Sequence, residues 1–302
     1  MTNSLKLALL ATVVTVVFQS CQNKTKTPSD TFVTGSVSLV ADESFKPIVS
    51  EEEYVFKGIY PEAKPTIIYR SENDALRMLL NDSVRVAILA RSLDTSEVNV
   101  LKRRTLPPVI RAFATDAVAL IVNKASNDTL ITVSEVKRML NGKAKTDKNI
   151  VFDNPNSSLV RYLKDLSGNK ELKQKNIYAL KSNIEVLKYV NQHPDAIGII
   201  GFNWLSDPDK DYADAVDNVK IVAVKDEDNK KFNNEYFKPS QSSLVLKQYP
   251  LSRELYIINS TGKMGLGTGF SEFVLSEKGQ RIIMKSNLAP ESMPGREINI
   301  KH

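Results

Sequence analysis

The stretch 84-VRVAILARSLDTSEV-98 sets the fold class. Residues 84–90 are apolar at every position but Arg85, as in a strand covered on both faces of a parallel sheet. Arg91-Ser92-Leu93-Asp94 then supplies turn and capping chemistry, and a short helix is expected from about Thr95. This is one strand–helix unit, and the pattern repeats upstream. Residues 37–41 read as a strand. Ser44 then opens a helix with Pro47 tolerated in its first turn and Phe45, Ile48, Val49, Phe56 and Ile59 on one face. Residues 65–69 read as a strand, and Ser71 precedes a helix carrying Ala75, Leu76, Leu79 and Leu80. The order β-α-β-α-β-α implies an open, mostly parallel sheet with helices on both faces.

Downstream, residues 109–113 and 117–122 read as two closely spaced strands, after which the unit resumes. Thr132-Val133-Ser134-Glu135 is a capping box whose helix stops at Asn141-Gly142. Residues 150–152 and 177–180 read as strands, and Ser182-Asn183-Ile184-Glu185 is a second capping box. Strands are expected at 197–202, 219–224 and 255–258. A last helix runs from about Gly269 to Lys285, with a break near Gly279. The charged run 225-KDEDNKK-231 reads as a solvated surface.

The N-terminus has a different character. Lys6 precedes an apolar run over 7–18, the length of a signal h-region and too short to span a bilayer. It ends in Phe18-Gln19-Ser20-Cys21, a relaxed lipobox, and Cys21 is the only cysteine among 302 residues. The expectation is export, lipidation at Cys21 and a polar tether over 21–34. Without the signal, the net charge of +6 falls to about +5. That balance, with no basic block interleaved with aromatics, excludes a nucleic-acid partner. About 280 residues remain, more than one typical core, so two lobes are expected.

Four strand-to-helix turns carry polar residues in equivalent places: Asp42-Glu43-Ser44, Arg70-Ser71, Arg91-Ser92 and Asn156-Ser157-Ser158. In open α/β sheets, ligands bind beyond the carboxyl ends of the strands. Helix starts there offer unpaired N–H groups and the positive end of the dipole, which favour an oxyanion. The blander reading of each serine is a helix cap. Arg91 directly follows a buried strand, and its planar fork suits an oxyanion; the alternative is an ion pair with Asp94 or another neighbouring acid. The spacing of Leu159, Tyr162, Leu163 and Leu166 predicts a helix beginning at or near Ser157, and Arg161 lies in its first turn, where the dipole disfavours a cation. Either a bound anion or Asp165 answers that charge.

Other chemistry finds no support. Ser260-Thr261-Gly262-Lys263 and Gly265-Leu266-Gly267-Thr268-Gly269 lack the spacing of phosphate or dinucleotide loops, and a flexible strand-to-helix turn explains them. His193, one of two histidines, sits at a helix exit. Metal-ligand and nucleophile motifs are absent, so neither catalysis, a metal nor a cofactor is expected.

Across residues 35–300 the sequence resembles the phosphate-binding proteins of bacterial ABC importers, within the type II periplasmic binding proteins. The resemblance rests on 40-VADESFKPI-48, 116-DAVALIVNK-124, 154-NPNSSLVRYL-163, 196-AIGIIGFNW-204, 249-YPLSRELYII-258 and 269-GFSEFVLSEKGQRII-283. It implies two doubly wound α/β lobes joined by a two-strand hinge, one from 35–115 and 250–302 and the other from 116–249, after a signal peptide over 1–20. It also implies binding without turnover: a small inorganic oxyanion, phosphate favoured, is held between the lobes. The ligand passes to an ABC permease or other membrane complex, from a lipid anchor on the periplasmic or cell-surface side. Ser44 matches the family's first-loop donor and Ser71 the donor after the second strand. Asn156, Ser157 and Ser158 stand where the family has Ser-Gly-Thr, and Arg91 and Ser92 where it often has an acid. The family's arginine before that last turn has no counterpart in Phe152-Asp153-Asn154. Alternatives are the same fold with another anion or solute, or a periplasmic adaptor or sensor that has lost ligand binding.

Overall fold

A computed structural model describes residues 30–143, 148–172 and 174–293. The signal region, Cys21 and most of the tether lie outside the described residues. Among the described residues, no helix is long and apolar enough to cross a membrane.

The chain opens with strand β1 (Gly35–Asp42), a 3-10 turn (Glu43–Phe45) and helix α1 (Lys46–Ile59), then β2 (Ala63–Arg70), α2 (Glu72–Leu80), β3 (Val86–Leu89) and α3 (Thr95–Arg103). These are the three strand–helix units expected, and β1 pairs in parallel with both β2 and β3. The next strand corrects the sequence reading. One continuous 15-residue strand, β4 (Val109–Asn123), replaces the two expected. Thr115 and Asp116, polar residues in the middle, suggested a break, but both lie within the ladder to a later strand.

Beyond β4 come β5 (Leu130–Thr132), α4 (Val133–Leu140), β6 (Asn149–Phe152), α5 (Ser158–Ser167), β7 (Ile177–Ala179), α6 (Asn183–Gln192) and β8 (Ala196–Gly201). The short helices α7 (Asn203–Ser206) and α8 (Ala213–Asp217) precede β9 (Val219–Ile221) and β10 (Ala223–Lys225), two strands where one was expected. The chain ends with α9 (Gln241–Val245), β11 (Ser252–Asn259), α10 (Leu266–Leu275), α11 (Glu277–Lys285) and β12 (Ala289–Pro290). The last helix is therefore two. Ser276, in extended backbone, ends α10 and caps α11 by accepting from the Gly279 N–H.

The main sheet runs β2-β1-β3-β11-β4-β8-β6-β7. Its flanks are parallel, as expected, but β11 is antiparallel to β3 and β4, and β4 to β8. The connectivity explains this mixed centre. The first part of β4 pairs with β11 and its second part with β8 and β9, so β4 carries the chain from one half of the sheet to the other. The returning β11 must run against it. A bulge between Leu255 and Tyr256 bends the pair opposite Phe113, whose carbonyl accepts from Gln280 instead.

Aromatic packing positions α1. Phe56 of α1 meets Tyr60, Phe270 and Phe273 edge-on, with ring centroids 5.1–5.3 Å apart. Such pairs contribute about 0.5–1.5 kcal/mol each beyond area burial. They hold α1 against α10, and so hold the β1–α1 turn at the sheet's carboxyl edge. Gly269 lets that packing close: a Cβ there would stand 1.9 Å from the Phe32 carbonyl oxygen.

Candidate functional site

Strands from both halves of the sheet end at one buried polar network. β1 ends at Asp42, whose Oδ1 accepts from the Ser44 N–H at 3.0 Å and so caps the 3-10 turn. β6 ends just before Asp153. Ser157 caps α5 by accepting from the Val160 N–H, and its hydroxyl donates to Asp153 Oδ1 at 2.5 Å. Asp153 Oδ2 accepts from Ser44 Oγ at 3.3 Å, across the two halves, and from Asn183 Nδ2 at 3.1 Å. One carboxylate thus takes three side-chain donors.

The floor of the network is the crossing pair of strands. Arg253 of β11 donates through Nε and Nη2 to Asp116 Oδ2 of β4, at 3.2 and 2.9 Å. Its Nη1 donates to Ser158 Oγ at 3.0 Å, and its guanidinium stacks 4.5 Å over the Phe45 ring. Asp116 also accepts from the Asn203 backbone and side chain. The Ser44 carbonyl accepts from Asn203 Nδ2 and Trp204 Nε1, at 3.1 and 2.8 Å. Asp42, Ser44, Asp116, Asp153 and Ser158 are wholly buried.

Charge is unevenly answered. Asp116 has Arg253 beside it, but among the described residues no cation is in hydrogen-bond contact with Asp42 or Asp153. Burial pushes the Asp153 carboxyl up to about 7, with the negative charges of Asp42 and Glu43 adding to the rise against the Ser157 hydroxyl and Arg253. Asp42 is raised by burial and by Glu72, and Glu43 by burial and by Asp42. The second oxygen of Asp42 has no hydrogen-bond partner among the described residues.

A second set of contacts joins α5 to the start of α2. Arg161 of α5 donates to Glu72 at the start of α2, Nε to Oε1 at 2.5 Å, and to the Ala90 carbonyl at 3.2 Å. Glu72 Oε2 in turn accepts from the Ala90 N–H. The Asn73 N–H reaches the Asn156 carbonyl at 3.4 Å.

The network therefore joins Ser44, Ser157 and Ser158 of the expected donors. Ser71 lies at its margin: it caps α2, and its hydroxyl donates to Asp74. Arg91 lies outside the network, its guanidinium forked onto Glu97 at 2.6 and 2.8 Å, and Ser92 donates to the Leu93 carbonyl. The Asn156 side chain is exposed. Arg161 is answered chiefly by Glu72, with Asp165 at 3.3 Å as a weaker partner. Sequence reasoning missed Arg253, Asp116, Asn183 and Asn203. Arg253 had a signal: it shares strand parity with the buried Leu255 and Ile257, so a charge stood where the alternation demands a core residue. Among the described residues, no group of three or more acidic, His or Cys side chains could hold a metal ion.

Two strands crossing between half-sheets, with helix starts of both halves meeting over them, define a two-part binding-protein architecture. The chain belongs to the periplasmic binding protein (PBP) superfamily: the family model described as PBP superfamily domain matches residues 26–278. Among solved structures, it is similar to a candidate phosphate ABC transporter substrate-binding protein from Clostridium perfringens, with phosphate bound. The identity is 20% and the TM-score 0.69, over 85% of this chain and 100% of that one. An ABC-type phosphate transport receptor from Vibrio cholerae aligns at 18% identity and TM-score 0.63, over 84% and 99%. The substrate-binding domain of a candidate molybdenum ABC transporter from Clostridium difficile aligns at 18% and 0.51, over 84% and 98%. A comparison with curated proteins found no match.

Proposed function

We propose that this chain is an exported, lipid-anchored solute-binding protein that closes two lobes, 35–115 with 250–302 and 116–249, on a small oxyanion, phosphate before others. It would hand that anion to an ABC permease at the membrane. One observation carries the reading: the helix-start groups of Ser44, Ser157 and Ser158, from both halves of the sheet, meet in a single buried network over Arg253. Ser44, Ser157 and Ser158, with the cap at Ser71, are the proposed donors, and Arg253 replaces Arg91 as the proposed positive charge. The unpartnered oxygen of Asp42 favours a ligand that brings its own proton. Phosphate retains a hydroxyl near neutral pH, which sulfate and molybdate do not. The mechanism is hinge closure, not turnover. The similar Clostridium perfringens and Vibrio cholerae proteins, both named for phosphate transport, point the same way.

A panel of anions tests the reading, because a ligand that binds only the folded chain raises its melting temperature by mass action. Phosphate should raise it and sulfate and molybdate should not. Stabilisation by molybdate alone would reassign the ligand. A second reading, an adaptor or sensor that has lost ligand binding, is favoured by the engagement of Ser44 and Ser157 with Asp153. It is the reading left if no anion stabilises the chain and membrane proteins co-purify with it.

A further inference from the structure

The second half of the sheet carries a cavity that the polar network does not use. β4, β8 and β9 lie side by side there. Val122 stands opposite Ile197 in the ladder, and the Val222 N–H, just past β9, donates to the Leu120 carbonyl at 2.9 Å. Strand side chains alternate between faces, so Leu120 and Val122 share one. With Ile197 and Val222 they make an apolar floor, which Ile131 of β5 and Met139 of α4 wall in, around a cavity of about 400 Å³. That volume lies in the range of small-molecule sites, which are mostly apolar with a few polar groups. An apolar floor left open forgoes packing and burial that a ligand's apolar body would supply. Leu130, 61% exposed, extends the apolar surface outward. The cavity also stands apart from the cleft. Ile197 is near the start of β8 and Lys148 directly precedes β6, whereas the network gathers beyond the far ends of those strands.

Charge at the mouth has one sign once the internal pairs are set aside. Asp128 is paired with Lys148. Glu135 is engaged in capping α4, its Oε2 accepting from the Thr132 N–H at 2.8 Å. Arg138 approaches Glu135 only to 3.9 Å, with its side chain 56% exposed. Lys143 is exposed and has no acidic partner among the described residues. Two cations thus stand over an apolar floor. We infer that this cavity is a second ligand site, for an amphipathic monoanion: a medium-chain aliphatic carboxylate whose chain lies on the floor and whose head meets Arg138 and Lys143. The head stays at the mouth because a charge buried on the floor would have no partner, while a guanidinium at the rim suits a carboxylate. The inference is independent of the oxyanion reading of the cleft.

Calorimetric titration of the purified chain with decanoate, below its micellar concentration, tests this. Saturable heat at one decanoate per chain is expected. Butyrate, which buries less apolar surface, and decyltrimethylammonium, which keeps the chain but reverses the head, should each bind at least about tenfold more weakly. Two variants locate the site. Lys143→Glu changes an exposed charge and should weaken decanoate by about fivefold or more, the scale of an exposed charge pair. Val222→Phe fills the floor and should abolish the heat. If Val222→Phe does not fold, Leu130→Asp, which sets an acid at the exposed mouth, should weaken decanoate as Lys143→Glu does. No saturable heat from decanoate overturns the inference. So does decyltrimethylammonium binding as tightly, which would mark an unselective apolar surface. Folded variants that all bind decanoate as the parent does would place the carboxylate elsewhere on the molecule and overturn it as well.

Discussion

Arg161 and Glu72, 89 residues apart, tie one half of the sheet to the other: the arginine Nε stands 2.5 Å from the glutamate Oε1. The pair is asymmetric, because the Glu72 side chain is 2% exposed and that of Arg161 33%. Glu72→Gln leaves the Arg161 cation with water, Asp165 and the Ala90 carbonyl for partners, and should cost about 1 kcal/mol after allowance for solvent screening. Arg161→Ala strands a buried carboxylate, which is the more expensive loss, and should cost about 2–3 kcal/mol. Urea midpoints of both variants and the double mutant measure this. Equal single-mutant losses would contradict the asymmetry.

The buried carboxyls make stability depend on pH with a defined sign. Asp153 binds its proton up to about pH 7 in the folded chain, against roughly 3.9 for an unperturbed aspartate. The folded state therefore holds a proton that the unfolded state gives up earlier. That contribution is fully present below about pH 4 and is lost as pH rises through about 7. Asp42 and Glu43, also raised, act in the same direction. Stability should fall between pH 5 and 8, and Asp153→Asn should flatten the fall. Denaturant midpoints at both pH values, with unchanged slope, test it; a steeper fall in the variant would refute the assignment.

Two arginines that look alike in sequence should behave differently. Arg91 sits beside Glu97 at the protein surface, its side chain 24% exposed. Arg91→Ala should cost at most about 1 kcal/mol and leave anion affinity unchanged. Arg253 is buried against a wholly buried Asp116, and Arg253→Ala should cost about 3–5 kcal/mol. Arg253→Lys should not restore it, because one ammonium cannot reproduce the fork onto Asp116 and Ser158. Thermal melts and phosphate calorimetry on the Arg91 and Arg253 variants separate the roles.

Two helical glycines give opposite signs for the same substitution. At Gly58 none of the described residues stands within 4 Å of an added Cβ, so Gly58→Ala should stabilise by about 0.5–1 kcal/mol. At Gly269 the added atom meets the Phe32 backbone. Overpacking there outweighs the propensity gain, and Gly269→Ala should lower stability by about 1–3 kcal/mol. Melting temperatures decide it, and a stabilised Gly269→Ala would show that residues 30–34 yield readily.

Local signals carried the first half of the chain. The apolar run around Ile88, the caps at Ser71 and Ser157, and the Thr132–Glu135 capping box all appear as read. The second box forms only by half: Ser182 accepts from the Glu185 N–H, but the Glu185 carboxylate reaches the Lys181 N–H instead. The site was less legible because its floor is non-local. Arg253 and Asp116 lie 137 residues apart and meet only because β11 runs back along β4. Helix-start serines announce themselves through capping, whereas an ion pair between crossing strands leaves only a charge at a core-parity position. Asp153 was visible as a departure from the family's pattern; that it would gather both serines could not be seen without the closed network.

The direct test of binding is calorimetric titration of the phosphate-stripped chain with phosphate, then with sulfate, at neutral pH. Saturable heat at one phosphate per chain, with sulfate at least tenfold weaker, is the outcome expected if Ser44, Ser157 and Ser158 form an oxyanion site that favours a protonated ligand. No heat from phosphate, or sulfate binding as tightly, would contradict it.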